Sequence, residues 1–148
     1  MSHVASVQCY VTDLADMREA AEACDMVLME NQKTYKWFGR FYGDSNLAPG
    51  HDPSTFGHGE HALRLKDHRE TDYEIGLVRR IDGEPGWELL YDAWSGYGER
   101  LHAKCGKDLV KLKDEIAAAA ANRELQRQGY RVFRTVSPQG EIEIRGLR

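Results

Sequence analysis

The sequence predicts an α+β domain built on a mainly antiparallel sheet of five to seven strands, with two helices on one face. Three observations carry that expectation. Short stretches of alternating or β-branched and aromatic residues recur along the chain, and two longer segments repeat apolar residues at helical spacing. The resulting order, β-α-β-β-β-β-α-β-β, joins neighbouring strands through short turns, which favours antiparallel pairing. A length of 148 residues suits a single domain with one core, so residues 1–148 are read as one unit.

Residues 5–12 open the chain as a half-buried strand, with Ala5, Val7, Cys9 and Val11 on one face and Ser6, Gln8, Tyr10 and Thr12 on the other. Asp13 is placed to cap the next helix, where Leu14, Met17, Ala20, Ala21 and Cys24 share a stripe and Asp16 sits near the positive end of the helix dipole. β-Branched and aromatic residues return over 26–29 and 33–38, read as a second strand broken near Asn31. Residues 39–60 are rich in glycine and turn formers and contain Pro49 and Pro53, which predicts a long loop.

A three-strand meander is expected over 62–66, 73–79 and 87–94, its last turn formed by Asp82-Gly83-Glu84-Pro85-Gly86. Residues 99–128 read as a helix that Gly106 kinks or divides. Leu109, Leu112, Ile116 and Ala120 form one stripe on it, and Val110, Ala117, Ala121 and Leu125 form another beside it. Gly129 suits the left-handed residue after a helix, and a hairpin over 130–136 and 141–145 closes the chain around Ser137-Pro138-Gln139-Gly140.

Composition narrows the function classes. With 41% hydrophobic and 30% charged residues the chain reads as globular rather than disordered. It contains no apolar run of membrane-spanning length and no leader-like start, so a cytoplasmic protein without a membrane partner is expected. Cys9, Cys24 and Cys105 include no C-x-x-C pair and predict neither a disulfide framework nor a zinc ribbon. Residues 1–103 carry 10 basic and 18 acidic side chains, whereas residues 104–148 carry 10 and 6. A tail of +4 spread over 45 residues is weak beside the clustered stripe of a nucleic-acid binder.

Several blocks resemble a known family. Met1-Ser2-His3 leading into a strand, Tyr73-Glu74-Ile75-Gly76-Leu77, Trp87-Glu88-Leu89-Leu90-Tyr91-Asp92-Ala93-Trp94, and Gln128-Gly129-Tyr130-Arg131-Val132 with Gly140-Glu141-Ile142-Glu143-Ile144 are similar to the plastid and cyanobacterial protein called hypothetical chloroplast reading frame 35. Relatives of that protein occur in bacteria and some phages. The loop over 40–60 looks longer than the family's, and Leu112-Lys113-Asp114-Glu115-Ile116-Ala117 stands where the family has Leu-x-x-Arg-Tyr-Ala. The resemblance implies a domain of unknown function without an assigned reaction. Its gene neighbourhood implies an AAA-type ATPase as partner, with the protein as adaptor or regulator.

Two side-chain groups are the candidates for function. The run Tyr35, Lys36, Trp37, Phe38, Gly39, Arg40, Phe41 and Tyr42 would place aromatic rings on both faces of a strand, leaving some exposed. Tyr35, Trp37, Phe38, Arg40, Phe41 and Tyr42 are therefore the expected partner-binding residues. The second group is His51, His58, His61 and His68, interleaved with Asp52, Glu60 and Asp67. His51, His58 and His61 could direct imidazoles at zinc or another transition metal, although the plain alternative is a glycine-rich loop that contains histidines. Glu74 and Asp92 are placed to face each other across adjacent strands, as a solvated sheet face would have them. Neither a hydrolase G-x-S-x-G elbow nor a P-loop is present, and no catalytic set is expected.

Three functions remain in view. The first is a non-catalytic interaction module without a cofactor; the second is a small metal-dependent enzyme using the histidine loop. The third is a phage or host regulator that binds nucleic acid through the basic C-terminal helix. Oligomeric state is left open by the sequence.

Overall fold

The computed structural model describes residues 4–40, 48–93 and 98–148. Strands β1 (Val4–Val11), β2 (Met26–Met29), β3 (His61–Leu65), β4 (Ile75–Arg79) and β5 (Trp87–Asp92) form a five-stranded sheet in the order β1-β5-β4-β3-β2, every neighbour antiparallel. Helices α1 (Leu14–Ala23), α2 (Glu99–Cys105) and α3 (Val110–Arg127) lie beside it, and β6 (Arg131–Val136) with β7 (Ile142–Leu147) makes a separate two-stranded sheet. The α+β class and antiparallel pairing hold, with the strands divided between two sheets. No helix among the described residues is long and apolar enough to cross a membrane.

Local chemistry explains several of these boundaries. Asp13 caps α1 by accepting the Ala15 N–H at 2.8 Å. The expected break at Gly106 divides the second helical segment: Gly106 has φ +82°, and Asp108 and Leu109 follow with φ near +57° before α3 begins. Gly129, at φ +88°, ends α3 in the left-handed conformation. In β1 the register slips between Val7 and Tyr10, a bulge in which residues 8 and 9 have no partner on β5.

The sheet is covered on both faces, by different means. Val7, Val11, Leu63, Leu65, Ile75, Leu77, Leu89 and Tyr91 pack beneath Met17, Ala20, Leu101, Leu109, Leu112 and Ile116 of the helical segments. Val4, Ala62 and Leu90 on the opposite face are buried by Tyr35, Ala48 and Phe56 from the long connection between β2 and β3. That second cover corrects one expectation. Residues 33–38 do not form a strand; only an isolated bridge joins Thr34 to His58, and the segment crosses the sheet as a lid.

Candidate interaction surface

The lid is attached through buried carboxylates. Glu74 is 7% exposed, and its Oε1 accepts the Lys36 N–H at 2.9 Å while Oε2 accepts the Gln32 amide at 3.1 Å. The Glu74 N–H donates in turn to the Lys36 carbonyl at 2.9 Å. Asp92, fully buried at the end of β5, accepts the Phe38 N–H at 3.1 Å. Tyr35 N–H donates to the Gly57 carbonyl and Gly59 N–H to the Lys33 carbonyl, both at 2.9 Å. Glu74 and Asp92 are therefore the lid's anchors and not a solvated face. Buried backbone N–H groups need such acceptors, and charged acceptors make the stronger bonds.

Two glycines shape the seat. A Cβ on Gly76 would lie 2.2 Å from Tyr35 Cδ1, so the ring rests directly on the β4 backbone. A Cβ on Gly57 would lie 2.5 Å from Trp37 Nε1, and Gly57 also has φ +87°. Trp37 meets Phe56 edge to face, with ring centroids 5.7 Å apart. With the backbone fixed, the side chains divide: Tyr35 is buried, Trp37 is half-buried, and Phe38 and Arg40 are exposed. Burial pushes the Tyr35 phenol up to about 12. Phe41 and Tyr42 lie outside the described residues, as do Trp94 and Tyr97.

The histidines are dispersed. His51 Nε2 lies 3.1 Å from Glu88 Oε2, and both side chains are almost fully buried. His58 is exposed at its bridge to Thr34. His61 Nδ1 accepts the Asn31 N–H at 2.8 Å, and its ring lies edge-on to Trp87 at 5.4 Å. That bond leaves Nε2 to carry the proton of a neutral His61 ring. No group of three histidine, cysteine, aspartate or glutamate side chains among the described residues is arranged to hold a metal ion.

Glu88 forms a centre that has no local signature in the sequence. Besides His51, it accepts the Ser6 hydroxyl at 3.1 Å and the Ile81 N–H at 3.2 Å. A cleft of about 520 Å³ opens beside it at the β1 bulge, lined by Ser6, Cys9, Tyr10, Ile81 and Asp82 among others. The Arg80 guanidinium covers the Tyr10 ring at 3.6 Å and pairs with Asp82. Serine and histidine both contact the carboxylate, so the order is not that of a nucleophile activated by a histidine base. Its polar atoms hold β1, β5 and the residue 51 loop together.

Nearby, the Trp87 indole N–H donates to Glu60 Oε2 at 2.9 Å, and Arg79 binds the same carboxylate while lying over the indole ring. The Trp87 bond is the main cause holding the Glu60 carboxyl below its ordinary range. His102 is hydrogen-bonded to the Tyr91 hydroxyl at 3.2 Å, whereas Cys105 on the same helix contacts Met26 Sδ at 3.0 Å. Hydrogen bonding to Cys24 and burial raise the Cys105 thiol. Four arginines of the basic C-terminal segment are paired internally: Arg123 with Asp16, Arg127 with Glu124, Arg134 with Glu115 and Arg145 with Glu143. Comparison with protein families, with curated proteins and with solved structures finds no match for the chain.

Proposed function

We propose that the protein is a non-catalytic protein-interaction module, an adaptor or regulator that grips a protein partner through Phe38, Arg40 and the adjoining lid. The observation that supports this reading is the clasp of Glu74 and Asp92 on the Lys36 and Phe38 amides. It spends two buried carboxylates on fixing the backbone of a segment whose next side chains face outward. A rigid backbone bearing an aromatic ring and a guanidinium loses little freedom when a partner binds. The buried carboxylates Glu74, Asp92 and Glu88 are engaged with backbone amides or neighbouring side chains, which favours scaffolding over acid–base chemistry. An AAA-type ATPase as the partner rests on the family resemblance alone.

The test is capture of stoichiometric partner from the native host with the full chain, beside the variants Phe38→Ala and Arg40→Glu. The reading requires one partner that both variants lose while their unfolding temperatures match the parent's. Equal capture by all three proteins, or none by the parent, defeats it. If the partner is an AAA-type ATPase, its ATP turnover changes on adding the parent chain and not the variants.

A further inference from the structure

We infer that β7 is a homodimerisation edge, pairing antiparallel with β7 of a second copy of this chain about a two-fold axis at Ile144. Among the described residues the C-terminal sheet has only two strands, so the outer side of β7 carries no neighbour. The ladder starts with Ser137 N–H donating to the Glu141 carbonyl at 2.9 Å. Hydrogen-bonded pairs alternate along an antiparallel ladder. With the register Thr135 to Glu143 and Phe133 to Arg145, the amides and carbonyls of Ile142, Ile144 and Gly146 consequently point to the free edge. These are the groups a further strand uses.

The side chains of this edge complement themselves. In a β7 pair centred on Ile144, Glu143 of each copy lies opposite Arg145 of the other. Both are well exposed, at 59% and 68% of the side chain, and among the described residues of one copy they pair with each other along the strand, at 2.6 Å. They fall at non-hydrogen-bonded positions of the new ladder, where opposite side chains approach most closely. Edges that avoid pairing carry charges of one sign or proline; this edge carries one acid and one base at symmetric positions.

A second feature of α3 fits the same arrangement. Its core stripe, Leu112 and Ile116, is buried, but Val110, Ala117 and Ala121 on the adjoining stripe are exposed. Between this stripe and β7 runs an open groove of about 550 Å³, lined by Asp114, Ala117, Ala118, Ala121, Ile142 and Ile144 among others. Both hairpin strands rest on α3. Continuing the sheet across the axis at a strand spacing of about 4.8 Å then brings the two α3 helices to the same side of the joined sheet, facing each other across the axis. The alanine stripes and the two Ile144 side chains close the groove from both sides.

Charge reversal tests this directly. Sedimentation of the untagged full chain should show a dimer, and Glu143→Arg and Arg145→Glu should each raise its dissociation constant about tenfold or more by placing like charges opposite each other. An equimolar mixture of the two single variants should recover parental affinity as a heterodimer, and so should the double variant carrying both changes. Both positions are exposed, and circular dichroism of each variant checks that the fold is kept. A parent chain monomeric at its highest soluble concentration overturns the inference, as does a dimer indifferent to the single reversals.

Discussion

Adding one methyl group at Gly76 tests how the lid is held. The Gly76→Ala Cβ would lie 2.2 Å from Tyr35 Cδ1 and 2.4 Å from Cε1, with β4 fixed between β3 and β5, so the Tyr35 ring must leave its seat. Tyr35 is 3% exposed and packs with Phe56, Ala62 and Leu90. Losing a buried aromatic ring costs about 3–5 kcal/mol, and partial reseating brings the expected loss to about 2–4 kcal/mol. The helix-side cluster shares no residue with this site and keeps its packing. In a double-mutant cycle, Tyr35→Ala and Gly76→Ala should each destabilise the chain, while the methyl should cost less than about 0.5 kcal/mol once the ring is gone. Denaturant unfolding of the four proteins measures the coupling. Additive losses, or a Gly76→Ala variant as stable as the parent, would refute the seat.

Three other outcomes follow from the same contacts. Glu74→Ala leaves the Lys36 amide and the Gln32 side chain without their acceptor and should cost about 1–3 kcal/mol, with hydrogen exchange accelerated at Lys36 and its neighbours and unchanged in α1. The Glu60 carboxyl is held below its ordinary range by Trp87 and Arg79, so its stabilisation is complete above the unfolded glutamate pKa of about 4.3 and is lost as pH falls through the lower folded value. In a Trp37→Phe, Trp94→Phe background, the acid transition of Trp87 fluorescence should therefore have its midpoint below that figure. Tyr35 and Tyr91 are pushed up to about 12 by burial. Their contribution to stability is full below the unfolded tyrosine pKa of about 10 and disappears as pH rises through the folded value. Ultraviolet titration should show at least two phenols ionising late, together with loss of the near-ultraviolet dichroism.

Much of the fold was written in local periodicity. Alternation located β1, helical spacing and Asp13 located α1, and turn residues placed the meander and the terminal hairpin within a residue or two. The lid could not be placed that way. Residues 33–38 have strand-like composition, but their amides bond to a Glu74 side chain, an Asp92 side chain and the Gly57 carbonyl instead of a neighbouring strand. Contacts 38 and 54 residues apart leave no periodic trace. The same distance problem hid the Ser6, His51 and Glu88 centre, where the sequence showed only a histidine in a loop. Of the expected partner-binding residues, Phe38 and Arg40 are exposed and Tyr35 is core; the sequence places rings on two faces without indicating which ones are buried, and the buried acids that set the division lie far away in the chain.

Site-specific photocrosslinking probes the interaction surface most directly. A benzophenone amino acid replaces Phe38 in one chain and Ile81, an exposed apolar residue lining the cleft beside Glu88, in another. After irradiation in the native host, position 38 should yield one discrete adduct of a single protein, and position 81 should yield none. Adducts of equal intensity from both positions, or none from position 38, would contradict the assignment of the lid as the surface the partner grips.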